Sequence, residues 1–439
     1  MSRTNEYITA VDIGTTKIVA IVGKKAPNGR LEILGMGQAP STGVKRGVVL
    51  NIDETASSIQ LAVSQAEEAS GIKFENVYVG IAGQHIKSVK NRGIKYLDTE
   101  LGEITQQVVD ELFNDMKKLP IEAGEEIIHV IPQSYIVDNE SGVKNPVGMT
   151  GRRLEGNFHI VIGQIASAKN IEKCINRVGM RVKKLILEPL ASSEAVLTDD
   201  EKEAGVVLVD IGGGTTDLAV YYNGTIRHTA VIPFGGNVVT NDIKEGCAIL
   251  HRYAESLKVQ YGSAIAEMAP ENRVVTIPGI GGRDSKEISF KSLASIIQAR
   301  MEEIIDAIAF EIENSGFMEK LGAGIALTGG GALLRNLPQL MKFSTGLDVR
   351  IGLPNRYFNT GSNEKINQPQ FSTSIGLVLK GARYDEFYAK KEKPKKIVEK
   401  QQEVEEQEIV QDPISKKPAF FNKLKNSFID MFDETDSKM

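Results

Sequence analysis

The segment VDIGGGTTDL, residues 209–218, places three consecutive glycines and two threonines between two aspartates. A shorter version, VDIGTTKI, occurs earlier, at residues 11–18. Apolar and β-branched residues flank both segments, which predicts a strand, a tight glycine turn and a second strand in each. Two copies of one pattern predict a chain built from two related halves, each beginning with antiparallel strands.

The residues of these turns suit a cluster of phosphates and its cation. Where side chains are missing, backbone N–H groups can approach phosphate oxygens from several directions, and threonine hydroxyls add donors. Because aspartates repel phosphates, Asp12 and Asp210 are expected to hold Mg²⁺ through water or to orient an attacking water. Asp217 is expected in the outer shell of that metal, although a strand-edge acid needs no function. The two halves are therefore predicted to face each other across a nucleotide cleft.

Three further segments belong to this pattern. GIALTGGGALLRNLPQL, residues 324–340, predicts a strand, a glycine turn and a helix whose start lies near a nucleoside or phosphate. LEPLASSEAVL, residues 187–197, and FSTSIGLVLKGA, residues 371–382, combine small residues with apolar residues at helical spacing. They are read either as two helices that approach each other closely or as ordinary core helices.

Two regions interrupt the repeated pattern. Residues 85–162 contain polar stretches, a predicted helix at 105–118 and a long strand–loop segment, and are interpreted as an inserted subdomain. The second half has its own insert at about 246–319, with helices predicted around 247–261 and at 288–314.

Size and composition limit the possible classes of protein. At 439 residues the chain should form two or more domains, and 41% hydrophobic with 25% charged residues is typical of a soluble globular protein. A net charge of -5 argues against nucleic acid as a partner, because such binding needs a concentrated basic surface. Two cysteines fit a reducing cytoplasm, and the five histidines lack metal-ligand spacing. No secretory signal or membrane-spanning apolar run is expected.

The end of the chain has a different composition. Residues 384–417 contain few apolar residues after the first positions and are expected to form an unpacked linker. Residues 418–434 then predict an amphipathic helix, read as a membrane-surface helix or, alternatively, as a helix that binds a partner or the protein's own body. Its apolar face is formed by Phe420, Phe421, Leu424, Phe428, Met431 and Phe432.

The segments DIGTTK, DIGGGTTD, LEPLASSEAVL, LTGGGALL and FSTSIGLVLKG resemble, in the same order, the nucleotide-site motifs of the actin, heat-shock-chaperone and sugar-kinase superfamily. Within it the chain resembles the FtsA family of bacterial cell-division proteins. KRGVVLNID at 45–53, VYVGIAGQHI at 77–86, AESLKVQYG at 254–262 and the terminal helix carry this second resemblance.

The resemblance implies a two-domain actin-like ATPase fold of the α/β class (ribonuclease-H-like and duplicated) with an FtsA-type inserted subdomain. It implies subdomain IA at 1–84 and 163–205, inserted subdomain IC at 85–162, IIA at 206–245 and 320–383, IIB at 246–319, a linker at 384–417 and a membrane-targeting helix at 418–434.

Motif matching also implies roles for single residues, with ATP and Mg²⁺ as cofactors. Asp12, Asp210 and Glu188 are the candidates for catalytic work, Glu188 by positioning water. A matching Glu-x-x-Lys pair, Glu255 and Lys258, is either an adenosine contact or a plain helical salt bridge. Phosphate contacts are implied for Gly14, Thr15, Thr16, Lys17, Gly212, Gly213, Gly214 and Thr215, and nucleoside contacts for Gly329, Gly330 and Gly331.

The resemblance implies an adaptor that polymerises on ATP and ties the FtsZ ring to the inner membrane at the division septum, recruiting other divisome proteins. The FtsZ C-terminal peptide is expected at Arg300, with Lys291 nearby on the same surface or simply solvated. A phosphate-contacting lysine of the chaperones has no counterpart here, so at most slow hydrolysis is expected. A small-molecule kinase of the same superfamily and an MreB-like filament protein remain the alternatives.

Overall fold

The computed structural model describes residues 7–26, 30–97, 102–279, 281, 283–354 and 365–392, with side chains described to residue 387. The chain divides into one compact unit, residues 1–384, and a second unit, residues 385–439. Of the second unit only the end of the last helix is described. The expected amphipathic helix at 418–434, with its six apolar residues, lies outside the described residues.

Runs of strands in the described residues are separated by helices along the chain. The strands are β1 Tyr7–Ile13, β2 Lys17–Lys25, β3 Leu31–Pro40, β4 Val44–Lys45, β5 Val48–Val49, β6 Asn76–Ile81, β7 Lys87–Tyr96, β8 Gly102–Glu103, β9 Glu125–Val137, β10 Glu140–Val143, β11 Thr150–Gly151, β12 Arg153–Gln164, β13 Arg181–Leu187, β14 Val206–Ile211, β15 Thr216–Tyr222, β16 Thr225–Ile232, β17 Val274–Ile277, β18 Lys286–Ser289, β19 Ile325–Thr328 and β20 Val349–Ile351.

The α-helices of the described residues differ widely in length. They are α1 Ile52–Ser70, α2 Gln106–Met116, α3 Ile165–Arg177, α4 Glu188–Val196, α5 Asp199–Ala204, α6 Gly236–Cys247, α7 His251–Tyr261, α8 Phe290–Ser315, α9 Leu337–Thr345 and α10 Ser372–Glu392. None of them is both long enough and apolar enough to span a bilayer.

Two five-stranded sheets share one topology. The first has the order β13-β6-β1-β2-β3, and the second has the order β16-β15-β14-β19-β20. In each sheet three consecutive strands form an antiparallel meander, and the next two strands pair in parallel beside its first strand. The two related halves predicted from the glycine turns are confirmed, and so is the duplicated actin-like fold that the resemblance implies. At the second meander Asn223 and Gly224, with φ 54° and 73°, form the turn between β15 and β16.

The apolar layer between the sheets follows from strand periodicity. β14 is buried along its whole length, and its residues alternate between two cores. Val207 and Val209 lie in the core that contains α8, whereas Val206 and Leu208 face a layer that contains α4 and α10. In β1, Ile8 and Ala10 face that same layer. The two connecting helices therefore lie in a core that both halves share.

Small residues allow α4 and α10 to cross closely. A Cβ built on Gly376 would overlap the Ala191 carbonyl group, and both helices are almost wholly buried over the crossing. The close-approach interpretation of the two small-residue segments therefore holds for this pair. α10 continues to Glu392, so the first nine residues of the expected linker are helical.

The region after β6 forms a four-stranded sheet of order β10-β9-β12-β7, with α2 packed on it. Its separate core includes Leu112, Leu154 and Phe158. This inserted subdomain was expected from the sequence. The predicted helix at 105–118 is found as α2, where Thr105 caps the first turn.

The insert of the second half contains α6 to α8 and the hairpin β17–β18. α8 begins after Ser289, whose side chain accepts from the Ser292 N–H, and ends at Gly316 in the left-handed region. The helix predicted around 247–261 starts four residues later than expected, because Ala248 at φ 49° ends α6.

Candidate functional site

The two glycine turns meet. A Cβ on Gly213 would overlap Thr16 Oγ1, and a Cβ on Gly214 would lie 2.5 Å from Thr15 Oγ1. Each turn is itself tight, with the Gly212 N–H donating to the Thr215 carbonyl at 2.9 Å and a Cβ on Gly14 reaching to 2.8 Å from the Lys17 carbonyl. The glycines are therefore required by the approach of one turn to the other as well as by any phosphate.

Strand alternation directs four charged residues into the layer between the sheets. Asp12 continues the face of β1 that carries Ala10, and Asp210 continues the face of β14 that carries Leu208. By the same alternation Lys17 and Asp217 extend the layer-facing sides of β2 and β15. Asp210 and Asp217 are direct cross-strand partners. Burial raises the pKa of Asp12 and the charge of Asp210 raises it further, so the structure places acids of the two halves within reach of each other's charge.

Hydroxyl groups of the connecting helices hold the two aspartates. Ser374 donates to Asp12 Oδ2 at 2.6 Å, Ser192 donates to Asp210 Oδ2 at 2.7 Å, and Thr373 donates to the same oxygen at 3.1 Å. Asp12 and Asp210 are only 7% and 8% exposed. Burial raises the pKa of both carboxyls, and the hydroxyl donors oppose that rise.

Asp217 is the most unusual acid of the site. Its Oδ2 accepts from Thr215 Oγ1 at 3.1 Å, whereas its buried Oδ1 has no hydrogen-bond partner among the described residues. Burial, followed by the charge of Asp210, raises the pKa of Asp217 to about 8. A buried carboxylate oxygen without a donor is the arrangement that a cation or its bound water would satisfy.

Glu188 is the first residue of α4 and faces Gly80 at the end of β6, where a Cβ would lie 3.1 Å from Glu188 Oε1. Burial raises its pKa well above the usual value, and the charges of Asp12, Asp217 and Asp210 add to this. Four carboxyl groups thus share one region, and each disfavours ionisation of its neighbours.

The donor set fits Mg²⁺ held through water. Within the described residues, no three His, Cys, Asp or Glu side chains lie close enough together to hold a metal ion directly. Mg²⁺ usually keeps several of its waters and takes one or two carboxylates together with phosphate oxygens. Asp12, Asp210 and Asp217 supply carboxylates of this kind, and Asp217 Oδ1 is available for such a water.

Lys17 is tied to the short turn that precedes α10. Its Nζ donates to the Gln370 carbonyl at 2.7 Å and lies 3.8 Å from the centre of the Phe371 ring. Burial lowers the pKa of Lys17 to about 8, and the charges of Asp12 and Asp210 oppose that shift. The predicted phosphate contact by Lys17 therefore requires exchange of these partners.

The third glycine turn packs directly against the second. Gly329 has φ 82°, and a Cβ there would overlap Asp210 Oδ1. A Cβ on Gly331 would overlap the Ile211 side chain, whereas one on Gly330 would meet open space. Gly329 and Gly331 are thus needed for packing, and Gly330 is the position whose face is open to a ligand.

Glu255 and Lys258 brace the second glycine turn. Lys258 Nζ donates to Glu255 Oε2 at 2.8 Å and to the Gly236 carbonyl at 3.0 Å. The Gly236 N–H in turn donates to the Gly212 carbonyl at 2.9 Å. The helical salt bridge is present, and the same pair lies next to the turn that was expected to hold phosphate.

The two residues expected to bind a peptide both lie on α8 but not on one face. Arg300 pairs with Asp242 at 2.5 Å and with Glu303, and Lys291 pairs with Glu271 at 2.9 Å. Residues nine positions apart in an α-helix are separated by about two and a half turns, so the two side chains lie on opposite sides of α8. The expected shared surface is therefore not provided by α8.

Sequence reasoning missed Ser192, Thr373 and Ser374, which position the aspartates. They stand in LEPLASSEAVL and FSTSIGLVLKG, which were interpreted only as small residues that permit helix contact. The available signal was that these small residues are hydroxyl-bearing and come within the first five residues of both connecting helices.

Comparison with known proteins gives the family. Residues 207–376 match the model described as "Cell division protein FtsA", and residues 83–162 match the "SHS2 domain inserted in FTSA". "Cell division protein FtsA" of Pseudomonas aeruginosa is 39% identical over 379 residues, 86% of this chain and 90% of that protein. The chain belongs to the FtsA family of cell-division proteins.

Other FtsA proteins agree. That of Borreliella burgdorferi is 37% identical over 401 residues, 91% of this chain and 96% of the relative. That of Neisseria meningitidis serogroup B is 41% identical over 379 residues, 86% of this chain and 91% of the relative. The inserted sheet of this chain, residues 87–164, overlaps almost completely with the match to the inserted domain at 83–162.

Solved structures show the same fold at low identity. A chain of the PilM-PilN type IV pilus biogenesis complex is 14% identical with a TM-score of 0.63, covering 86% of this chain and 99% of that chain. MreB 5 of Spiroplasma citri bound to AMPPNP is 16% identical with a TM-score of 0.52, covering 88% of this chain and 98% of that chain. Both likenesses concern the actin-like fold alone.

Proposed function

We propose that the chain binds ATP with Mg²⁺ between its two glycine turns. The observation that carries this is the contact of Gly213 and Gly214 with Thr16 and Thr15, beside buried carboxylates from both halves. The actin-like neighbour that is bound to AMPPNP supports a nucleotide as the ligand. Phosphate contacts are proposed for Gly14 to Lys17 and for Gly212 to Thr215, and nucleoside contacts for the Gly330 face together with Glu255 and Lys258.

The acids are proposed to manage the cation and the attacking water. Bound Mg²⁺ would neutralise charge on the phosphates, and Asp12, Asp210 and Asp217 would hold its waters. Glu188 would position water, and burial together with the neighbouring carboxylates raises its pKa, which disfavours the charged form that accepts a proton best. Hydrolysis is therefore proposed to be slow.

We further propose that ATP-bound molecules assemble into filaments that attach the FtsZ ring to the cytoplasmic face of the inner membrane at the septum. Membership of the FtsA family supports this role. The membrane contact is assigned to the apolar residues of 418–434, whose Lys423 and Lys425 suit anionic lipid. One such helix binds reversibly, whereas many along a filament gain avidity. Other divisome proteins are proposed as further partners.

Deletion of residues 418–439 is expected to abolish ATP-dependent co-sedimentation with vesicles that contain anionic lipid and to leave ATP-dependent assembly intact. Removal of the apolar face takes away the lipid contact but none of the described body. Co-sedimentation and electron microscopy on the full chain and the truncated chain separate the two properties. Undiminished vesicle binding by the truncated chain would refute the proposed anchor.

The FtsZ C-terminal peptide is proposed to bind the surface that carries Arg300. Arg300→Glu is expected to weaken binding of that peptide by about tenfold or more, since a charged hydrogen bond becomes a repulsion. Lys291→Glu, on the opposite side of α8, is the matched comparison. Peptide affinity measured by fluorescence anisotropy, with the melting temperature of each variant, distinguishes the two. Equal affinity in all three proteins would remove both residues from the interface.

A further inference from the structure

The tip of the hairpin β4–β5 has a backbone that its sequence does not favour. Arg46 has φ 50° and Gly47 has φ 74°, which are close to the values of Asn223 and Gly224 in the turn between β15 and β16. A two-residue turn of this kind favours Asn-Gly, because asparagine tolerates positive φ better than long side chains do. Arginine at the first position is therefore a strained choice, and strained positions are common where a side chain has a task.

This tip is joined to the first glycine turn. The Gly47 N–H donates to Thr15 Oγ1 at 3.2 Å. Thr15 is the residue against which Gly214 of the second turn packs. One threonine side chain thus connects the hairpin tip to the place where the two glycine turns meet.

Close packing fixes the other side of the tip. A Cβ on Gly47 would lie 2.9 Å from Gly83 Cα, and a Cβ on Gly83 would lie 3.2 Å from the Arg46 carbonyl oxygen and 2.9 Å from His85 Nδ1. Both ring nitrogens of His85 are buried without a partner among the described residues. The tip is held between the end of β6 and the first glycine turn, beside unused polar groups.

The two lysines next to the glycine turns already have partners, whereas a nearby arginine has none among the described residues. Lys17 is held by Gln370, and Lys258 is held by Glu255. Arg46 is exposed, and none of the hydrogen bonds or ion pairs of the described residues uses its guanidinium. An arginine fork suits a phosphate group, which it can bind through two hydrogen bonds.

We propose that Arg46 binds the terminal phosphate of the nucleotide, so that the β4–β5 hairpin distinguishes ATP from ADP. The third glycine turn and α7 adjoin the second glycine turn on the side of the second half, whereas the hairpin adjoins the first turn. The nucleoside and the terminal phosphate would occupy these opposite sides. This inference rests on the proposed binding of ATP and adds a cation at the hairpin tip that adjoins the first glycine turn.

The test compares ATP and ADP affinities, with Mg²⁺, in the full chain and in Arg46→Asn, Arg46→Lys and Lys45→Asn. Arg46→Asn creates the favoured turn sequence, so its melting temperature should be equal to or above that of the parent. Its dissociation constant for ATP should rise by about tenfold or more, and that for ADP should change less than about twofold. Arg46→Lys should recover part of the loss. Lys45→Asn, which alters the exposed neighbour, should leave both affinities unchanged.

The outcomes separate this inference from the function on which it rests. Equal ATP affinity in the parent and Arg46→Asn, or equal losses for ATP and ADP, would overturn the role of Arg46 while leaving the nucleotide site in place. Absence of saturable ATP binding by the parent chain would overturn the proposed function itself.

Discussion

Replacing Gly376 with alanine is expected to destabilise the folded protein by about 3 kcal/mol or more, although alanine is the better helix former. The added Cβ would overlap the carbonyl group of Ala191, and a backbone group cannot rotate away as a side chain can. α4 and α10 would have to separate, and with them the hydroxyls that hold Asp12 and Asp210. Thermal and denaturant unfolding of the variant measure the loss.

Gly330→Ala is the matched control, because a Cβ at that position meets no atom within 4 Å. It should leave the free energy of unfolding nearly unchanged. If Gly376→Ala proved as stable as Gly330→Ala, the close crossing of the connecting helices would be wrong.

Asp210→Asn is expected to weaken binding of Mg²⁺-ATP by up to about a hundredfold, the range found when groups that orient metal ligands are removed. The variant loses the charge that would hold a water of the cation, and the amide disturbs the donors Ser192 and Thr373. Removing Mg²⁺ with a chelator should weaken ATP binding strongly in the parent chain and little further in the variant. Calorimetric titration of both proteins, with and without Mg²⁺, measures this non-additivity.

Asp210→Asn should also change how the affinity for Mg²⁺-ATP depends on pH. Because the pKa of Asp217 is about 8, affinity for Mg²⁺-ATP should increase as pH rises through that value and Asp217 ionises. Asp210 is one cause of the raised pKa, so Asp210→Asn should move the midpoint to lower pH.

The stability of the protein without nucleotide should depend on pH in the opposite direction. The folded state retains the Asp217 proton that the unfolded chain loses, so this group's contribution to stability falls as the pH rises from 3.8 to about 8. If the losses of affinity from Asp210→Asn and from Mg²⁺ removal were additive, and if the pH midpoint did not move, Asp210 would not belong to the cation site.

The sequence predicted the parts of the molecule that depend on local pattern. Glycine turns between β-branched runs gave the two meanders, and strand alternation directs Asp12 and Asp210 to the shared layer. Contacts between segments that are distant in the chain could not be predicted from the sequence. Lys17 meets Gln370 across 353 positions and Ser374 meets Asp12 across 362. No periodicity within a segment encodes such pairs.

The sequence also could not predict which groups pair with the side chains of the helices. Arg300 was predicted to bind a peptide, whereas its pairing with Asp242 depends on how α6 and α8 pack. The strain at Arg46 is a property of backbone angles in a two-residue turn, and KRGVV shows no turn signal except its glycine. Both features become visible only when the elements are assembled.

The most direct measurement is the anomalous scattering of Mn²⁺, substituted for Mg²⁺, in crystals of the full chain grown with a non-hydrolysable ATP analogue. The account predicts one metal peak between Asp12 and Asp210, separated from their carboxylates by water, with the phosphates lying between the two glycine turns. A nucleotide bound elsewhere, or a metal peak away from both aspartates, would contradict it.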